Sequence, residues 1–137
     1  MAIPMDMATM RNSFRTGQYI LVDKKPVQAS SIFEWGNFME DNDVKRVGID
    51  YFKDKSIRVS TVFLGIDHNF RSEGPPVLFE TMIFGGNLSE YQDRYCTWEE
   101  AEEGHSEAIK KIYEDAIEQN DLLLAYEIKN KYPKLIK

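Results

Sequence analysis

Val59-Ser60-Thr61-Val62-Phe63-Leu64-Gly65-Ile66-Asp67-His68-Asn69-Phe70, then Gly74-Pro75-Pro76, then Leu78-Phe79-Glu80-Thr81-Met82 decide the fold. The first run is β-branched and apolar and reads as a buried strand. A polar loop holding a histidine follows, and then a second buried strand with a carboxylate inside it. Two such strands joined by a short Pro/Gly loop favour an antiparallel pair.

The pattern extends outward on both sides. Val47, Ile49 and Tyr51 alternate with polar neighbours, predicting a strand at about 45–52. Lys53-Asp54-Lys55-Ser56 turns the chain, and Ile57, Val59, Thr61 and Phe63 alternate with Arg58 and Ser60. Further strands are expected at about 77–84 and 90–96, with Gly85-Gly86-Asn87 as a hairpin signal between them. Upstream, Tyr19-Ile20-Leu21-Val22 is a short strand turned by Asp23-Lys24-Lys25-Pro26. Ser30 and Ser31 offer a cap for a short helix at about 31–41, weakened by Gly36 at about 1 kcal/mol relative to alanine.

Thr97-Trp98-Glu99-Glu100 has the spacing of a capping box. Trp98, Ala101, His105, Ala108, Ile109, Ile112 and Ala116 then recur within a sector of about 100° on a helical wheel. Asp121 can cap a last helix whose apolar side is Leu122, Leu124, Ala125, Ile128 and Tyr132, and Pro133 ends it. The fold expected is α+β: a mainly antiparallel sheet with one long amphipathic helix on a face and shorter helices toward the N- and C-terminal ends. The expected core is Ile20, Phe33, Trp35, Phe38, Val47, Ile49, Val59, Phe63, Phe79, Met82, Trp98, Ala101, Ile109 and Ile112.

With 137 residues, 42% of them hydrophobic, residues 1–137 fit a single domain, residues 1–17 forming an arm or short helix. The formal net charge of −6 argues against direct nucleic-acid binding, which needs clustered cations. No run approaches the ~20 apolar residues of a membrane helix, so no membrane association is expected. One cysteine, Cys96, permits no intrachain disulfide and fits a reducing, cytoplasmic setting. No cofactor is implied, and no phosphate-cradling glycine loop or marked nucleophile is present.

The stretches Phe33-Glu34-Trp35, Val59 to His68, Gly74 to Phe84, Tyr91-Gln92 and Arg94 to His105 resemble a family of small, largely uncharacterised bacteriophage and prophage proteins. The resemblance spans about 25–110 and implies a viral or prophage origin, hence a bacterial host cytoplasm. It implies no activity and no catalytic residues. Family members often carry serine where Cys96 stands, so Cys96 is not expected to be an essential nucleophile. The arm and the C-terminal helix at 120–137 lie outside the match, so any partner they contact is particular to this chain.

Three features bear on function. His105 lies mid-sector on the long helix, beside Gly104, and a buried imidazole needs a polar partner across the interface. Glu80, on the facing strand, is the partner expected, since a buried carboxylate also needs one. Asp67 and His68 sit where a strand leaves the sheet. Either they join Glu80 and His105 as an acid–base or metal-binding cluster, or Asp67 and Asn69 merely bond the local backbone. The spacing lacks HxxxH or HxH, so no metal site is assigned. Finally, segment 90–118 holds ten acidic and three basic side chains, leaving the rest near neutral. Glu99, Glu100, Glu103 and Glu107 either form a solvated face or engage a basic groove on a partner.

The function expected is a small acidic interaction protein that binds and modulates a host protein, such as a nucleic-acid enzyme or a defence system. The alternatives are a small metal-dependent hydrolase or ligand-binding enzyme centred on Asp67, His68, Glu80 and His105, and a virion component. Exposed sheet edges leave a homo-oligomer open.

Overall fold

The computed structural model describes residues 17–71 and 73–137, so nearly all of the expected arm at 1–17 lies outside the described residues. Two antiparallel sheets form. A small hairpin pairs β1 (Tyr19–Val22) with β2 (Lys25–Gln28), and a four-stranded meander runs β3 (Arg46–Phe52), β4 (Ile57–Phe63), β5 (Phe79–Phe84) and β6 (Gln92–Tyr95) in spatial order. Between the sheets lie α1 (Ile32–Met39) and α2 (Asn42–Lys45); after them come α3 (Trp98–Glu118) and α4 (Leu122–Lys131). The architecture is α+β, with α3 laid across the strands of the larger sheet.

Local chemistry sets the helix ends. Ser31 accepts from the Glu34 amide, Asp121 accepts from the Leu124 amide, and Thr97 and Glu100 make a reciprocal capping box. The Glu100 carboxylate is thereby occupied, accepting from the Cys96 and Thr97 amides. At β1–β2 the expected turn is tighter than the sequence suggests. Asp23 and Lys24, at φ 52° and 66°, form a two-residue loop, and Pro26 sits in β2 opposite Leu21. Proline is tolerated there because the strand is an edge.

The larger sheet presents alternate residues to α3. Ile57, Val59, Thr61 and Phe63 of β4 and Phe79, Thr81 and Ile83 of β5 are all buried. On α3, Ala101, Gly104, His105, Ala108, Ile109, Ile112 and Ala116 are buried, as the periodicity predicts. Gly104 lets the helix approach the sheet edge, since a Cβ there would lie 2.0 Å from the Tyr95 hydroxyl. α4 adds Leu124, Ala125 and Ile128 to the same core.

Three core expectations are corrected. On β3 the residues facing α3 are Gly48, Asp50 and Phe52, and Ile49 is half-buried on the far face, beside Tyr51 at 42% exposure, whereas Val47, at the irregularity between Arg46 and Gly48, packs half-buried against the core with Phe63 and Phe79 as expected. The reason is register: Asp50 pairs with Val59 and Phe52 with Ile57, and cross-strand partners share a face. Phe33 is 80% exposed on the outer side of α1. Met82 belongs to the sheet face away from α3 and is half-buried.

Candidate functional site

The most concentrated polar chemistry lies between the sheet and the two C-terminal helices. Asp50, Thr61, Thr81 and His105 are the buried polar residues there. His105 points inward from α3, as the helical spacing predicts, but its partners differ from expectation. Its Nε2 lies 2.7 Å from Asp50 Oδ2 and its Nδ1 2.7 Å from Thr61 Oγ1. Thr61 Oγ1 is in turn 2.6 Å from Thr81 Oγ1. Gly48 makes room: a Cβ there would stand 3.1 Å from the imidazole.

The Asp50 carboxylate ties together three elements. His105 of α3 reaches Oδ2, while the Tyr132 hydroxyl donates to Oδ1 and Lys131 Nζ lies 2.6 Å from Oδ1. Burial alone would raise this carboxyl. The hydrogen bonds from His105, Lys131 and Tyr132 outweigh it and lower the pKa from 3.8 to about 2. Burial and the adjacent carboxylate push the Tyr132 phenol above its ordinary range. An ionised Asp50 only accepts, so His105 Nε2 carries a proton, and Thr61 can donate to Nδ1 while accepting from Thr81. Each polar group then has a partner, which is the condition under which a buried network stabilises.

Glu80, the expected partner of His105, faces the opposite way. Its Oε2 accepts from Arg94 Nε at 2.9 Å and from the Gln92 amide on β6. Thr81, one residue on, is the β5 side chain that reaches the His105 chain. Asp67 follows the turn-former reading: its Oδ1 accepts from the amides of Asn69 at 2.7 Å and Val77 at 2.9 Å. Asn69 then bonds the carbonyls of Glu73 and Pro75 and the amide of Arg71. His68 Nδ1 lies 2.8 Å from the Ile66 carbonyl, and its ring sits 5.9 Å from that of Phe70. The four candidate groups, Asp67, His68, Glu80 and His105, are thus bonded to four separate sets of partners. Among the described residues, no group of three or more His, Cys, Asp or Glu side chains is placed to hold a metal ion.

Of the acidic helix face, Glu99 and Glu103 are exposed, Glu100 is the capping group, and Glu107 lies 3.4 Å from Lys110. Cys96 is half-buried, and burial raises its thiol pKa. Tyr95 packs its ring against Gly104, and burial pushes its phenol up to about 12.

Asp50, Lys131 and Tyr132 escape the sequence reading, although a signal for Asp50 exists. A turn at Lys53–Ser56 places Phe52 opposite Ile57 and hence Asp50 opposite Val59, so inward Ile57 and Val59 require inward Phe52 and Asp50. Lys131 and Tyr132 carry no such signal, because their role depends on how α4 docks.

The geometry defines an α+β domain fastened by a buried hydrogen-bonded chain. Searches of protein-family models, curated proteins and solved structures find nothing that matches this chain. No helix among the described residues is long and apolar enough to cross a membrane.

Proposed function

We propose that this chain is a non-catalytic interaction protein of phage or prophage type that binds and modulates a host protein, such as a nucleic-acid enzyme or a defence system, in the host cytoplasm. The observation that carries this reading is the outer face of α4. Leu122, Leu123 and Tyr126 are 60%, 85% and 71% exposed, and Ile117, near the end of α3, is 48% exposed. Leu122 was expected on the buried side; instead Leu124, Ala125 and Ile128 fill the core and α4 is apolar on both sides. A surface helix normally keeps one side polar, and clustered exposed apolar residues mark interaction surfaces. Aromatic and aliphatic anchors of this kind dominate binding energy when a partner covers them. The exposed Glu99 and Glu103, with Glu107, lie toward the other end of α3 and form a separate acidic stretch suited to a basic partner surface.

The enzyme reading gains no support from the geometry, because Asp67, His68, Glu80 and His105 point to separate partners. The test is affinity capture from host lysate with the full chain and with Leu123→Asp/Tyr126→Asp. A host protein retained by the first and lost with the second, together with a host phenotype lost in parallel, is the expected result. The same proteins retained by both, or no change in any phage-related phenotype, would contradict the proposal.

A further inference from the structure

The face of the larger sheet turned away from α3 has a chemistry of its own. Ile49 and Tyr51 of β3, Arg58, Ser60 and Val62 of β4 and Phe84 of β5 floor a groove, which Lys45 and Arg46 border. Tyr51 is 42% exposed and Phe84 36%. Each ring already carries a cation. The Arg58 guanidinium lies 4.1 Å from the Phe84 centroid, and Lys55 Nζ lies 5.9 Å from that of Tyr51.

Charge on this face is largely uncompensated. Among the described residues no carboxylate forms an ion pair with Lys45, Lys55 or Arg58. Arg46 has a loose exposed contact with Asp43 at 3.3 Å, and Glu80, farther across the face, is held by Arg94. The negative charge of the molecule sits mostly in segment 90–118, largely on α3 across the sheet. The net charge therefore averages two unlike surfaces. The Arg58 side chain is half-buried with its guanidinium over Phe84, and its buried Nε makes no hydrogen bond among the described residues.

We propose that this open face binds single-stranded DNA. Bases stack on Tyr51 and on the Arg58–Phe84 pair, and phosphates lie against Lys45, Arg46 and Lys55. Open sheets with exposed aromatic rings and flanking cations suit unpaired bases, because each ring needs a free base face that a duplex hides. This surface is separate from the α4 patch, so the two proposals stand or fall independently.

The test is fluorescence anisotropy of the full chain with a labelled 12-nucleotide oligothymidylate at low and physiological salt. Binding tighter than to a duplex of equal length is expected, weakening as salt rises. Tyr51→Ala and Phe84→Ala should each weaken it about tenfold with an unchanged salt slope, and Tyr51→Phe should retain it. Lys55→Glu, in an exposed turn, should weaken binding and lower the slope by about 1. This variant carries the test if either alanine variant fails to fold by circular dichroism. No binding at low salt, equal affinity for duplex, equal displacement by polyglutamate, or full affinity in Tyr51→Ala or Lys55→Glu would overturn the proposal.

Discussion

On the α3 side of the sheet, Thr61, Thr81, His105 and Asp50 form an unbroken chain of hydrogen bonds beneath two helices; on the far side, the rings of Tyr51 and Phe84 stay partly exposed, each with a cation over it. Both faces carry polar and charged side chains on the same strands. What separates them is cover: two helices close the α3 side, where the buried Tyr95 hydroxyl and Trp98 Nε1 make no hydrogen bond among the described residues, whereas the far side keeps its rings partly exposed. The closed face uses the chain from Asp50 through His105 to Thr61 and Thr81, with Lys131 and Tyr132, to fasten two helices to the sheet. The open face leaves its rings partly exposed and several of its cations without a carboxylate partner among the described residues, and such groups are what a ligand can recognise.

The sharpest way to break this contrast is to remove the hub of the closed face. Asp50→Ala should lower stability by about 3–5 kcal/mol in urea unfolding, because it strands His105, Lys131 and Tyr132 at once. A loss below about 1 kcal/mol would mean that the network is incidental to the fold.

Acid titration sharpens the same point without mutation. The folded pKa of Asp50 is depressed from 3.8 to about 2, so its contribution is fully present above about pH 4 and disappears as pH falls through about 2. That contribution is worth roughly 2 kcal/mol. Asp50→Asn, measured by urea midpoint from pH 6 down to pH 2, should show a correspondingly shallower loss. An identical pH profile in both proteins would assign the acid sensitivity to other carboxylates.

The helix–sheet contact offers a smaller test. In Gly104→Ala, a Cβ 2.0 Å from the Tyr95 hydroxyl should cost about 1–2 kcal/mol by thermal unfolding, despite the better helix propensity of alanine. At the other extreme, Leu123→Ser on the exposed α4 face should change stability by no more than about 0.5 kcal/mol. A larger loss there would place Leu123 in the fold rather than at an interface.

Much of the fold was legible because it rests on strong local signals. The capping box at Thr97, the apolar sector of α3 and the alternation in β4 each specify an element by residues close in sequence. The inward direction of His105 followed from the same periodicity. Its partner did not follow, because a partner depends on strand register. On β3, hydrophobicity selected Val47 and Ile49 for the core; Val47 packs there beside the strand irregularity, but pairing with β4 turns Gly48, Asp50 and Phe52, not Ile49, toward α3. A one-residue difference exchanges the faces, and it hid a buried aspartate behind an apolar pattern. On β5 the same parity separates Glu80 from Thr81. The role of α4 was hidden for a different reason: apolar residues on both of its sides blur the distinction between core and interface.

The most direct test of the closed-face network is a double-mutant cycle with His105→Ala, Asp50→Ala and the double variant, each unfolded in urea at neutral pH. The two losses are expected to be non-additive, with a coupling of about 1–3 kcal/mol. Losses that add to within about 0.3 kcal/mol would show that the two side chains do not support one another, and the network would no longer explain how the helices are held to the sheet.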